Sequence, residues 1–600
     1  MRRKAHILKA NLKNELPQQI VVVDTETRIA ESAANRDKHV LHFGKAKLVR
    51  FRTDRGRTTY KESDFFTFTD GGEFLQWLTD NTRARARTYV FAHNWNFDAA
   101  IIDLAQAADM GYKVQTYING PRPFILKLKH TESRKYLTFL DSLNIFAMSL
   151  SALGDALGFP KGDFPGIDAP RELLESYCER DVAVLLAAIL QWRALIDTLD
   201  LGNFQPTLAG QAFTAFKHRF MQHPIYIHDN QRTLELERRA YMGGRTECFF
   251  IGQRNEPLYY YDVNSLYPSV MASELYPTRH IRTLSDPSLD DLRDVLNDHA
   301  VVAEVDISTT ENAYPHRFND RLCFPIGEFT TTLTTPEVIY ALQHNHIGAI
   351  RSLAIYEQHE LFTDYVQQLY AQRMMYKREG NDAFQFSVKL LLNSLYGKFG
   401  QSGRHWNTVR DATADDPPEW LHQEFPEDKP VKYRTRLGKV QTLSRDAESF
   451  NSFPAIAAHV TAYGRSRMWQ LMNAAGLEHV LYMDTDSLIV TEQGRAGLLP
   501  HLDESRLGQL KLEGVSHSSH FYGPKDYIFD DIARRKGVRA NATQISDNSF
   551  EQLQFHSWDW HQSRQERGFI YVDTITKTLH RNYQKGVVND STGAITPITM

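Results

Sequence analysis

The fold class this sequence predicts is a multidomain α/β and α+β protein, and three observations predict it. Its 600 residues exceed what one hydrophobic core organises, so two to four domains are expected. In the first third, apolar β-branched runs end in polar or acidic residues and lead into a long helix-periodic segment. Beyond residue 257, strand-like, helical and hairpin segments alternate with polar, proline-containing stretches. The composition, 42% apolar and 24% charged, excludes wholesale disorder, a collagen-like chain and a disulfide scaffold.

Taken in order, Gln19 to Asp24 (QIVVVD) reads as a buried strand ending in acid. Arg87 to Ala92 is a second strand, with Asn94, Phe97 and Asp98 at its end, and Tyr136 to Asp141 a third, ending at DS. ELLESYCERDVAVLLAAILQW has the period and length of an amphipathic to buried helix, which closes an α/β domain over about 15–195. Residues 196–260 are mixed, with a turn-like YMGGR, and a strand then enters YYYDVNSLYPSVM. Residues 275–355 read as polar and end in a helical segment, and a helical pair at about 357–397 contains SVKLLLNSLYGKF. The stretch 401–450, with DATADDPPEW and EFPEDKP, reads as a loop-rich insertion. A helix near 455–475 and the hairpin HVLYMDTDSLIVTE follow.

Charge and cysteine usage bound the setting. A net charge of −4 gives no global nucleic-acid signature, so a DNA surface has to come from local Lys and Arg placement. Cys178, Cys248 and Cys323 are far apart and form no C-x-x-C pair, which argues against structural disulfides and a cysteine-rich zinc site and fits a reducing compartment. The basic start lacks a signal-peptide apolar core, and the longest apolar run, Val182 to Leu190, is too short to span a bilayer. A cytoplasmic location is the expectation.

Asp24 and Glu26, two apart on a strand, put both carboxylates on one face. Alone such a pair is common. Tyr177 and Asp181, however, sit at i and i+4 on one helix face. Asp24, Glu26, Asp98 and Asp181 in one cleft would hold two metal ions about 3.5–4 Å apart, with Tyr177 orienting a water for phosphodiester hydrolysis. The order DTET, HNWNFD, YCERD resembles the three exonuclease motifs of the proofreading domain of family B DNA polymerases. Lys161, in KGDF, resembles the lysine of that family's protein-primed branch, which implies stabilisation of charge at the scissile phosphate. Asn94, Phe97, Ser142 and Leu143 resemble that branch's single-strand ligands, although strand-end capping also accounts for Ser142.

In the second half, DVNSLYP ends a strand with the single carboxylate Asp262, and YMDTDS places Asp484 and Asp486 at a hairpin tip. K-x-x-x-N-S-x-Y-G fixes five residues, and on a helix Lys389, Asn393 and Tyr396 share a face at i, i+4 and i+7. These segments resemble motifs A, B and C of family B DNA polymerases. The resemblance implies that Asp262 and Asp486, with the Val263 carbonyl, hold two catalytic Mg2+ ions, for which Mn2+ can substitute, with Asp484 in support. It implies that Lys389 and Lys377 bind the triphosphate, that Tyr396 stacks beneath the nascent pair, and that Tyr267 lies under the incoming sugar and excludes a 2'-hydroxyl. A solvated helix face explains Lys377 equally well. YMGG (Tyr241, Gly243, Gly244), TAYGR (Arg465) and KDY (Lys525, Tyr527) resemble the family's DNA-handling motifs, the last two holding primer and template backbone.

Two insertions, a short exonuclease domain and these segments together resemble the protein-primed polymerases of phages, other viruses and linear plasmids. That resemblance divides the chain into an RNase H-like 3'-5' exonuclease domain (1–195), a right-hand polymerase with palm (196–271 and 451–530), fingers (356–400) and thumb with tail (531–600), and insertions at 272–355 and 401–450. The first insertion would meet a priming terminal protein. The second would close around DNA for processivity and strand displacement, although its acidic run 411–428 is odd for a DNA clamp. Template-primer DNA and deoxynucleoside triphosphates are the expected partners, with no membrane. Other readings are a family B polymerase using ordinary hydroxyl primers, a stand-alone exonuclease with an inactive polymerase half, and a non-catalytic DNA-binding scaffold. The last leaves two carboxylate sets without a physical reason, because clustered acids repel unless metals bind.

Overall fold

The run that opens the first domain is buried on both faces, as a central strand requires. In the computed structural model, which describes all residues except 1–2, 56, 121–122, 404–405, 414, 424–429 and 444–447, it forms the strand Gln19–Ala33. Ile20 and Val22 face a core shared with the helix Arg171–Thr198, while Val21 and Val23 face a second core built on helices Gly71–Asn81 and Trp95–Ile102. The strand pairs antiparallel with Arg36–Asp54 and parallel with Arg87–Ala92, which pairs parallel with Tyr136–Asp141. Parallel strands ending at one sheet edge, with a helix on each face, make the crevice where polar side chains gather.

The second strand stops at Ala92, so Phe97 and Asp98 stand on the helix that follows rather than on the strand. The Asp141 carboxylate explains the break: it accepts the amide hydrogens of Asn94 (3.0 Å) and Trp95 (2.8 Å), and Asn94 turns the chain in the left-handed region at φ 85°. The sheet also takes in distant chain. Phe569–Thr578 pairs with the strand Arg36–Asp54, Val40 opposite Phe569 and Arg36 opposite Asp573, and Ser549–Phe555 pairs with Phe569–Thr578.

A five-stranded antiparallel sheet forms the centre of the second half, in the order Thr246–Cys248, Val480–Asp484, Ser487–Thr491, Leu258–Val263, Leu510–Ser516. The helix Pro454–Ala475 covers it, packing Met468, Leu471 and Met472 against Tyr261, Val263 and Leu488. Helices Thr363–Arg378 and Asp382–Ser394 form an antiparallel pair beside it.

Neither insertion has the form expected. Residues 275–355 end in the strand Ile347–His359, not a helix, and with Tyr276–Ser285, Ala300–Thr309 and Gly327–Thr334 it belongs to a six-stranded sheet with its own apolar core. Residues 401–450 carry a four-stranded sheet, Trp406–Asp411, Lys439–Leu443, Val431–Arg436 and Glu419–His422, rather than loops. Its outer strands are exposed on both faces, so the alternation that marks a strand is missing. Residues 424–428 of the acidic run lie outside the described residues. Among the described residues, no helix is long and apolar enough to cross a membrane.

Candidate active sites

Two separate clefts collect carboxylates. In the first, alternation on the strand Gln19–Ala33 points Asp24 and Glu26 to one side, the helix Trp95–Ile102 supplies Asp98, and the helix Arg171–Thr198 supplies Tyr177 and Asp181. Lys161 reaches in from the preceding loop. Its Nζ is 2.5 Å from Asp181 Oδ2 and 4.7 Å from the centre of the Tyr177 ring. Burial alone would lower the Lys161 pKa, but Asp181 carries it above its ordinary value. Thr25 donates to Asp98 at 2.7 Å.

Four carboxylates facing one ammonium cannot all ionise cheaply. Burial, then the charge of Asp181, pushes Asp24 up to about 7. Burial, then Asp24 and Asp181, pushes Glu26 up to about 8. Asp98 and Asp181 are raised by burial too, Asp181 against the pull of Lys161. Asp181 Oδ1 is buried without a hydrogen-bond partner. Excess negative charge, a vacant acceptor and hard oxygen donors fit divalent cations of the magnesium and manganese class.

In the second cleft, Asp262 stands next to the end of the strand Leu258–Val263 and lies beside the hairpin turn 484–487, where the amide of Val263 donates to the Asp486 carbonyl at 2.7 Å. Thr485 holds the turn at φ 62°, and its amide donates to the Arg245 carbonyl at 2.7 Å. Burial, then Asp486, pushes Asp262 up to about 7. Burial also raises Asp486, with Asp484 adding to the effect, while Lys389 and Lys525 oppose it. Asp484 is already engaged, accepting from Thr246 Oγ1 (2.9 Å) and lying 3.3 Å from Lys525 Nζ. Asp262 and Asp486 therefore share the excess charge, and Lys389 faces both.

Tyr267 lies in a slot cut by glycines. A Cβ on Gly244 would sit 2.8 Å from its hydroxyl oxygen, one on Gly464 3.0 Å from its ring, and Tyr396 packs against it with centroids 4.8 Å apart. Gly243 adopts φ 81°, and Tyr241 lies against Gly400. Asn393 donates to the Lys389 carbonyl at 2.9 Å, and Lys377 is exposed one turn beyond Arg373.

Four expected DNA ligands are engaged within the fold. Arg465 is buried, and its guanidinium donates to Glu337 Oε1 (2.9 and 2.7 Å) and the Gly243 carbonyl. Tyr527 is buried against Tyr482 and Phe521. Ser142 is wholly buried and bonds His93 Nδ1 at 2.8 Å, while the Leu143 amide is capped by Asp141. Phe97 does line the first cleft, edge-on to Phe555 from the C-terminal strands. Sequence reasoning missed Asp141, whose only signal was an acid at a strand end, and Arg373. The latter donates to Ser265 Oγ at 3.1 Å beside the Asp262 turn and keeps a buried Nε without a partner.

The fold joins a sheet-based domain with a carboxylate cleft to a helix-backed sheet with a second one. It superposes on the structure titled "Phi29 DNA polymerase complexed with primer-template DNA", with a TM-score of 0.66 at 16% identity over 94% of this chain and 100% of that one. Residues 167–419 match the family model described as DNA polymerase type B, organellar and viral. Among its relatives, a "Probable DNA polymerase" of Podospora anserina is 26% identical over 583 residues, covering 81% of this chain and 45% of that protein. A second, from Ascobolus immersus, is 25% identical over 62% of this chain and 32% of that protein. The "DNA-directed DNA polymerase" of Enterobacteria phage PRD1 is 26% identical over 49% and 50%. The chain thus matches half or less of the length of these three relatives.

Proposed function

We propose that this chain is a DNA-directed DNA polymerase with a 3'-5' proofreading exonuclease, which copies a viral or linear-plasmid genome from a protein primer. The observation that carries the reading is the pair of separate clefts, each with buried, mutually repelling carboxylates opposed by lysine. In the polymerase cleft Asp262, Asp486 and the Val263 carbonyl would hold divalent cations, and in the other Asp24, Glu26, Asp98 and Asp181. Bound there, such ions neutralise phosphate charge and acidify a primer hydroxyl or a water.

The residues of the chain supply the rest. Lys389, facing both acids, and Arg373, beside the Ser265 turn, offer charge-assisted donors to a triphosphate. Tyr267 is fixed by its glycine slot and Tyr396, so it closes the space a 2'-hydroxyl needs. In the other cleft Tyr177 is held by Lys161 above Asp181, in position to orient a water. Template-primer DNA and deoxynucleotides are the substrates, in keeping with the DNA-bound and nucleotide-bound titles of structures sharing the fold. A terminal protein accords with the relationship to the phage PRD1 enzyme and with the folded first insertion, which offers a surface outside both clefts.

The second insertion is fastened to the C-terminal segment through Asp559, which accepts from Arg436 Nε (2.9 Å), Arg434 Nη1 (3.4 Å) and Tyr117 Oη (3.2 Å). That closure supports a role in keeping hold of DNA. The test is extension on a singly primed single-stranded circle with magnesium. Asp486→Ala should abolish synthesis and spare degradation, and Asp24→Ala with Glu26→Ala should do the reverse. Wild-type degradation without synthesis would overturn the polymerase reading. Arrest at one lap would remove strand displacement, the main support for protein priming.

A further inference from the structure

With a net charge of −4, a surface for nucleic acid has to be built locally, and one cationic surface lies outside both clefts. Four neighbouring strands of the first domain, Arg87–Ala92, Tyr136–Asp141, Ile125–His130 and Tyr112–Ile118, set Arg87, Tyr136, Lys129 and Lys113 opposite one another in that order. Residues paired across a sheet share a face, so the four form one row, about 14 Å long at the usual strand spacing. Lys127 stands two residues from Lys129 and so on the same face. Farther along, that face turns apolar, and Phe91, Leu140 and Ile125 enter the core. Arg87 and Lys113 are exposed, while Lys127, Lys129 and Tyr136 are half-buried. Among the described residues, none of the four cationic side chains has an ion-pair or hydrogen-bond partner. Lys129 Nζ lies 5.9 Å from the centre of the Tyr136 ring. Lys113 sits directly opposite Lys129, and like charges so placed weaken a sheet. Burial, then the charge of Arg87, lowers the Lys127 pKa, with no carboxylate to oppose them. Asp411, on the second insertion, is held below the carboxylate range by its bond from Lys439, and Lys113 adds only a weaker pull at a distance. Left alone, the row costs stability; a polyanion laid across it reverses the sign.

We infer that this sheet face is a platform for single-stranded DNA, with Arg87, Lys113, Lys127 and Lys129 on the phosphates and Tyr136 beneath a base, and that the strand it takes is the one peeled from the template during synthesis. Cationic tracks interleaved with aromatic rings hold single strands without reading their sequence. The other face of the same strands favours the peeled strand over the template. There Leu126 and Leu128 line a cavity shared with Thr435 and Leu437 of the second insertion, and Tyr117 bonds Asp559, which ties that insertion to the C-terminal segment. The row lies on the far side of the sheet from this closure. Tyr136 is also five residues, roughly 17 Å, from Asp141 at the exonuclease crevice. The choice of strand rests on the polymerase reading, but the binding itself does not.

The full chain, free of magnesium, is bound to a fluorescent primed template that carries an oligothymidine flap on the downstream non-template strand, on the template strand, or on neither, across a salt series. The non-template flap should tighten wild-type binding about tenfold or more and steepen log K against log salt by about 0.7 for each phosphate held. Lys113→Gln with Lys127→Gln and Lys129→Gln should lose both gains, with flap-free binding and short-gap filling unchanged. Tyr136→Leu keeps every charge and should lose about fivefold or more of the affinity at an unchanged salt slope, which keeps the test open if the triple variant unfolds. No gain in wild type, or a gain that the triple variant retains, would overturn the platform. If that variant instead loses binding to phosphatidylserine vesicles, the face is a membrane contact and the inference is wrong. A gain from the template flap alone would overturn the choice of strand. If wild type binds the flap and incorporates no deoxynucleotide with magnesium restored, the polymerase reading fails and the platform stands.

Discussion

Removing the Glu337 carboxylate tests whether Arg465 is part of the core or part of the DNA track. The two side chains are 4% and 6% exposed, and both guanidinium contacts to Glu337 are short, so Glu337→Ala strands a buried positive charge with only the Gly243 carbonyl to hold it. Breaking one side of a buried pair costs about 3–5 kcal/mol, whereas replacing both partners by apolar residues of similar volume is close to neutral. Glu337→Ala should therefore destabilise the unfolding unit that contains the helix Pro454–Ala475 by about that amount, and Glu337→Leu with Arg465→Met should restore most of it. Urea unfolding followed by protection of that helix from proteolysis measures the first quantity. Duplex affinity across a salt series measures the alternative, since a lost phosphate contact lowers the slope of log K against log salt by about 0.9. If Glu337→Ala is as stable as wild type and Arg465→Met flattens the salt slope, the buried-pair argument is wrong and Arg465 touches DNA.

Gly244→Ala puts a methyl 2.8 Å from the Tyr267 hydroxyl oxygen and the Thr485 Cγ2, so synthesis should fall with degradation intact, read on one labelled primer with and without deoxynucleotides. Chelator-treated protein should lose stability as pH rises from about 4 to about 8. Unfolded carboxylates release protons near 4, while Asp24 and Glu26 in the fold keep theirs to about 7 and about 8, so the folded state binds more protons across that window. Asp24→Asn with Glu26→Gln should flatten the slope, and a melting temperature that rises with pH in wild type would contradict the sign. Tyr267→Val should raise ribonucleotide incorporation, and unchanged discrimination would remove that role from Tyr267.

Side chains at strand ends and helix faces were legible because period 2 and period 3.6 fix them locally: Asp24 with Glu26, Tyr177 with Asp181, and Asp262 stand where the pattern places them. The surroundings of Arg465 and Tyr527 were hidden for the opposite reason. Their motifs name a residue type, but whether a cation is buried depends on Glu337, which lies 128 residues away, and whether a tyrosine is core depends on Tyr482. The second insertion read as loop because the outer strands of its small sheet, wetted on both faces, have no apolar alternation to reveal them. Cys178 looked like an isolated thiol until folding brought it to Asp24, 154 residues earlier in the chain.

The pairing of Arg36–Val40 with Phe569–Asp573 has a consequence for how the molecule is made. The strand that covers this stretch of the hairpin follows far along the chain, Asp573 coming 537 residues after Arg36, so the hairpin is made well before its partner. Until then Val40, Lys38 and Arg36 present an open edge, and unpaired edges recruit other chains. The two charges along it, Arg36 and Lys38, are the kind that keep a waiting edge soluble. In the finished protein Arg36 meets Asp573, and Lys38 meets Glu31 while lying 4.7 Å from the centre of the Phe569 ring, so groups that guard the edge end as fasteners to the strand that covers it.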